Sequence, residues 1–229
     1  MLTALKARPY NTWSRNIFPF SMEGCVLYLP FWQEDMQGTT LLSYDQYRRS
    51  CAVTEALWTS QGRSFNGVNA QIAIPASASF SLPHDYTFIA WVKQSTLAVE
   101  KHQFILAFTG VGNRIRWASR RNATGYYMAF YSDESATWIE ANSMLPLDTW
   151  AFAALSIVNG GNSTFYVNGN AVETVTSQAQ PTLATPSLLI GTEGSSFLQG
   201  SIGEIYVYIS ALTPFEIQRN YQVTKWRYQ

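Results

Sequence analysis

Carboxylates set the first limit on what this sequence can do. Retaining hydrolysis of a glycosidic bond needs an acid and a nucleophile about 5–5.5 Å apart. On a β-strand that means acidic residues at alternate positions, because alternate side chains share a face. The nearest acidic pairs here are the direct neighbours Glu34-Asp35 and Asp133-Glu134, both in polar turns where adjacent side chains diverge, while Glu140 stands alone on its strand. Glycoside hydrolysis is therefore a remote alternative. The two histidines, His84 and His102, fall in no Ser or Cys arrangement that would make a nucleophile and in no zinc spacing, and both read as surface or loop residues. The expectation is a non-catalytic chain.

Binding chemistry is better represented. Aromatic residues make up 15% of the sequence, and these are the side chains that stack on sugar rings or anchor protein interfaces. Trp117, Tyr127, Tyr131 and Trp138 lie on the middle strands and are candidates for holding a neutral glycan, with Asn or Gln amides supplying hydrogen bonds. Arg114, Arg116, Arg120 and Arg121 fall within eight residues of one another. Alternation places Arg114 and Arg116 on one strand face, where bidentate guanidinium contacts could receive an anionic ligand such as a sulfated or uronic sugar. The plainer reading is a solvent-facing strand edge whose charge deters aggregation.

Charge and composition exclude other classes. Fifteen Lys+Arg balance fifteen Asp+Glu, so the long-range field on which nonspecific nucleic-acid binding depends is missing, and no nucleic-acid partner is expected. Residues Met1 to Tyr10 lack the apolar region of a secretory signal, and no segment has eighteen uninterrupted apolar residues, so no membrane insertion is expected. With 47% hydrophobic and 13% charged residues over 229 positions, one large sandwich with a short appendage suits the chain. Cys25 and Cys51 either pair, if their strands are neighbours, or stay as buried thiols. Arg48-Arg49 reads as a solvated loop.

The elements that must position these residues are strands. Ile72 and Ile74 alternate with Ala73, while Phe88, Ala90 and Val92 face one way and Ile89 and Trp91 the other, so the second of these strands is apolar on both faces. Further strands are expected at Gly24–Phe31, Gln103–Phe108, Arg114–Trp117, Gly125–Tyr131, Thr137–Ala141, Trp150–Val158, on either side of Asn168-Gly169 within Ser163–Val172, and at Leu188–Gly191 and Gly200–Tyr208. Asn168-Gly169 is a type I′ hairpin signal. Thr213-Pro214-Phe215-Glu216 combines an N-cap, proline at the first helical position and a capping-box glutamate.

Several of these stretches resemble one family. Ser64-Phe65-Asn66-Gly67-Val68-Asn69-Ala70-Gln71-Ile72-Ala73-Ile74-Pro75, the strand ending Ala90-Trp91-Val92, the opening Leu27-Tyr28-Leu29-Pro30-Phe31, Tyr166-Val167-Asn168-Gly169 and Ala211-Leu212-Thr213-Pro214-Phe215-Glu216-Ile217 occur in the order found in the laminin-G-like branch of the concanavalin A-like lectin/glucanase superfamily. The resemblance implies an all-β, jelly-roll-like sandwich of two antiparallel sheets, with ligands on the concave sheet or at one rim. It also raises calcium. Relatives often carry acidic residues where this chain has Asn69-Ala70 and Gly203, departures that leave Glu34, Asp35 and Glu204 as possible contributors and no cofactor as the expectation.

Residues 1–22 form an extended arm and 23–229 the sandwich. The arm carries Arg8, Tyr10, Trp13, Phe18 and Phe20 without an acid or a clear period. Either its aromatics strap back onto the sandwich or they dock on a neighbouring subunit or larger assembly. The expected function is a non-catalytic interaction module: a structural or decoration protein on an assembly such as a virion, attached through this arm in repeated copies or as a homo-oligomer, and able to bind glycan. A free-standing lectin-like protein is the alternative. The expected location is the virion surface, or the extracellular space after release.

Overall fold

The computed structural model describes residues 22–82, 85–95, 102–121, 125–176 and 180–229. The strand order is β1 (Cys25–Pro30), β2 (Thr40–Leu42), β3 (Ser50–Thr54), β4 (Leu57–Thr59), β5 (Gly62–Asn66), β6 (Gln71–Ile74), β7 (Tyr86–Gln94), β8 (His102–Thr109), β9 (Arg114–Arg121), β10 (Tyr126–Ser132), β11 (Trp138–Met144), β12 (Trp150–Ile157), β13 (Asn162–Val167), β14 (Asn170–Thr176), β15 (Ser187–Ile190), β16 (Thr192–Glu193), β17 (Ser196–Phe197) and β18 (Gln199–Tyr208). Among the described residues these build two eight-stranded antiparallel sheets. The first runs β14-β13-β12-β7-β18-β5-β4, with β1 also on β18, and the second β11-β10-β9-β8-β15-β6-β3-β2; β16 and β17 form a small separate hairpin. The expected all-β sandwich is present. The arm from Met1 to Ser21, with Arg8, Tyr10, Trp13, Phe18 and Phe20, lies outside the described residues, as does His84.

The core lies between the sheets. Phe88, Ala90 and Val92 of β7 and Leu155 of β12 meet Phe108, Ile115, Trp117, Met128 and Phe130 of the second sheet. Phe88 sits 5.7 Å from Phe108 and 6.2 Å from Trp117, ring centre to ring centre. Each such side chain withdrawn from water contributes roughly 1.5–3 kcal/mol, offset by conformational entropy.

The other face of β7 is covered by the end of the chain. Helix α1 (Pro214–Thr224) starts on the expected capping box: the Thr213 hydroxyl accepts the Glu216 N–H and the Glu216 carboxylate accepts the Thr213 N–H. Tyr221 of α1 and Tyr228 beyond it stack on Trp91, at 5.9 and 4.5 Å, and the Trp91 indole N–H donates to the Thr224 hydroxyl at 2.8 Å. Gly203 makes this possible. A Cβ built there would lie 2.3 Å from the Tyr228 ring, so the space a side chain would need is occupied by tyrosine. Next to it, Glu204 is fully buried and accepts hydrogen bonds from Tyr206 (2.8 Å), Tyr28 (3.3 Å) and Trp32 (3.4 Å), with an Arg227 ion pair at 3.1 Å. Burial pushes its carboxyl up, and Arg227 and the three donors only partly oppose that.

Asn168 and Gly169 both have positive φ, 50° and 79°, as a type I′ turn requires. Cys25 and Cys51 are free and buried, and burial pushes the Cys51 thiol up to about 12. One expectation fails at Arg48-Arg49. Arg49 is no solvated loop residue: it is buried, ion-paired with Asp45 at 2.9 Å, and donates to the Val26 and Ser79 carbonyls. Arg63 is likewise buried and gives its guanidinium protons to the Ala56, Met36 and Gly38 carbonyls. Acceptors at the terminal nitrogens offset the desolvation of both guanidiniums, while each Nε has no hydrogen-bond partner among the described residues.

Candidate functional site

Because β7 and its neighbours are roofed by the C-terminal segment, the outer face of the second sheet is, among the described residues, the broad sheet surface left to a ligand. Paired positions across a sheet point to the same side. The register Ala52–Ala73–Leu189–Ala107–Arg116–Tyr131–Trp138 therefore forms one row across β3, β6, β15, β8, β9, β10 and β11. At one end it is small side chains, and at the other an arginine and two aromatics. A parallel row places His102, Arg120 and Tyr127 on the same face, and a third places Phe104, Ala118, Ala129 and Glu140 there.

Trp138 is the hub. Its ring centre lies 4.2 Å from His102 with planes 20° apart, 5.2 Å from Tyr131 and 6.3 Å from Phe104. In a flat sheet, β8 and β11 would be about 14 Å apart, three strand spacings, so the His102 and Trp138 rings lean towards each other over β9 and β10. Beneath them Ala118 and Ala129 are fully buried. Trp138 and Tyr131 themselves remain half-buried.

Charges surround this cluster in pairs. Arg114 binds Asp133 at 3.1 Å and lies 3.6 Å from Glu193; Arg116 binds Glu193 at 2.8 Å; Arg120 binds Glu140. The Arg116 guanidinium also sits 4.8 Å over the Tyr131 ring. Chemically, the face offers aromatic surface for stacking, with carboxylate acceptors and guanidinium donors at its border. Glu140 and Glu193 are each tied to arginine rather than standing as a free acid-and-nucleophile pair.

The structure brings Arg114, Arg116, Tyr127, Tyr131 and Trp138 together on this face, and it removes Trp117. Adjacent to Arg116 on β9, Trp117 points the opposite way and is fully buried between the sheets, so its ring lies tilted against Phe88 and presents nothing to a ligand. His102, expected at the surface or in a loop, is a partly exposed residue at the start of β8, on the outer face within the aromatic cluster. Sequence reasoning missed Phe104, Glu193 and the pairing of Glu140. Of the carboxylates considered for calcium, Glu204 is committed to its buried network, and Asp35 accepts the Tyr44 hydroxyl. Among the described residues no group of three or more His, Cys, Asp or Glu is placed to hold a metal ion.

The family model described as the concanavalin A-like lectin/glucanases superfamily matches residues 66–218. The chain belongs to that superfamily. Solved structures are similar in fold at low identity. Trypanosoma rangeli sialidase in complex with sialic acid is similar with a TM-score of 0.67 and 15% identity over 88% of this chain and 33% of that one. Domain 4 of the extracellular arabinanase AbnA from Geobacillus stearothermophilus, in complex with arabinotriose, gives 0.57 and 18% over 85% and 96%. The binding domain of Paraclostridial Mosquitocidal Protein 1 gives 0.63 and 13% over 88% and 52%. This concanavalin A-like chain thus spans about a third of the sialidase. At such identities the likeness is one of fold. No curated protein is similar to the chain in sequence. No helix of the described residues is long and apolar enough to cross a membrane.

Proposed function

We propose that the chain is a non-catalytic carbohydrate-binding module whose ligand lies on the outer face of the second sheet, against Trp138 and Tyr131. One observation carries this reading: an aromatic cluster already packed by His102 and Phe104 leaves half-buried rings beside Arg116, Glu193 and Glu140. Rings held in place before binding lose little freedom when a sugar stacks on them. The sugars bound by the sialidase and by the arabinanase domain support a glycan as the ligand class. That every acidic side chain named on this face is tied to a guanidinium supports binding without hydrolysis. A glycan-array screen of the purified chain beside Trp138→Ala tests it. Binding lost in the variant is expected; binding retained at full strength, or glycan cleavage, would overturn the proposal.

Attachment to a larger assembly such as a virion, through the arm residues Arg8, Tyr10, Trp13, Phe18 and Phe20, is a second part of the proposal and rests on the basic, aromatic composition of Met1 to Ser21. Its location would then be the particle surface. Replacing Trp13, Phe18 and Phe20 by Ala should abolish co-sedimentation with the particle and leave glycan binding intact; loss of both together would contradict a separate role for the arm.

A further inference from the structure

We infer that Glu193 makes this face selective for uncharged glycans and excludes sialylated, sulfated and uronic ones. The inference rests on the carbohydrate-binding reading above and names the ligand class of that same site. Three arginines near an aromatic platform would ordinarily point to an anion. Here each guanidinium already has its counter-ion: Arg114 has Asp133, Arg120 has Glu140, and Arg116 has Glu193, which also reaches Arg114. Three positive and three negative side chains leave no net attraction for a charged sugar.

Glu193 is the decisive one because of where Arg116 sits. Only 12% of the Arg116 side chain is exposed, its guanidinium lies over Tyr131, and Tyr131 touches Trp138. An anionic group on a sugar stacked against Trp138 would therefore meet Arg116 first. To bind it, the anion would have to displace Glu193 or lie next to its carboxylate, and like charges so placed repel. Nor can Glu193 easily swing away. It lies on β16, whose hairpin with β17 is closed by the Thr192 hydroxyl donating to the Ser196 carbonyl at 3.0 Å and by Gly194 at φ 73° in the turn. Arg116 is thus held as a fixed donor for hydroxyl oxygens, with its charge already neutralised.

The test compares the full chain and Glu193→Gln by calorimetry against matched oligosaccharides, one set uncharged and one carrying sialic acid or sulfate, at low and at physiological salt. Glutamine keeps the shape of the side chain and removes its charge. The wild type is expected to bind uncharged members only. Glu193→Gln should gain about tenfold or more for the charged set, with a salt sensitivity that the uncharged set lacks, and adding Arg116→Gln should remove the gain. A wild type that prefers charged glycans, or a Glu193→Gln chain that binds uncharged members and gains nothing for charged ones, overturns the inference while leaving the site intact. A wild type that binds neither set, or binds equally well as Trp138→Ala, defeats the site and the inference together.

Discussion

The imidazole of His102 on β8 and the indole of Trp138 on β11 stack at 4.2 Å across the two strands between them. That contact turns an open sheet face into a platform with a fixed ring. It separates two tryptophans that stand twenty-one positions apart in the chain and do opposite jobs. Trp117→Ala should lose about 3–5 kcal/mol of stability, because it empties a site between the sheets. Trp138→Ala loses the burial of a half-buried ring and its ring-on-ring contacts, about 1 kcal/mol for each close pair, but empties no site between the sheets, and should keep the wild-type circular dichroism while losing its ligand. Denaturant melts of the two variants check this.

Gly203 is expected to accept no side chain while Tyr228 is present. Gly203→Ala should destabilise by about 1–3 kcal/mol, since the new methyl must push the Tyr228 ring off Trp91. The same substitution in a Tyr228→Gly chain should cost much less. A double-mutant cycle measures the coupling, and equal costs in both backgrounds would show that the ring does not set the constraint.

Stability should depend on pH through Glu204. Its carboxyl is raised in the folded chain by burial, with Arg227 and the Tyr206, Trp32 and Tyr28 donors only partly opposing. A raised acid binds its proton more tightly when folded than when unfolded. Its contribution is therefore fully present below the ordinary glutamate pKa and is lost as pH rises through the folded value. Relative to Glu204→Gln, the wild type should lose thermal stability as pH climbs through that window. Melting curves against pH read the difference, and a wild type that gains on the variant would contradict it.

Much of the fold was legible because strand chemistry is local. The Asn168-Gly169 turn, the Thr213 capping box and the two-faced β7 each follow from a few adjacent residues. The face shared by Arg114, Arg116, Tyr127, Tyr131 and Trp138 was half legible. Alternation along β9 is enough to put Trp117 opposite Arg116, and it carried that information without the structure. Pairing between distant strands was not readable. Glu193 reaches Arg116 from a two-residue strand with no periodicity to announce it, and His102 meets Trp138 only because β8 and β11 share one sheet. Arg49 was misjudged for the same reason. Its acceptors come from β1 and from the turn holding Ser79, which no local pattern links to an arginine pair.

The most direct test of the central claim is to follow the indole N–H resonances by two-dimensional NMR while an oligosaccharide that binds the chain is titrated in. Trp138 should shift in proportion to saturation, while Trp117 in the core and Trp226, exposed beyond α1, stay in place. A titration that moves Trp226 and leaves Trp138 unchanged would put the ligand at the C-terminal segment and contradict the account.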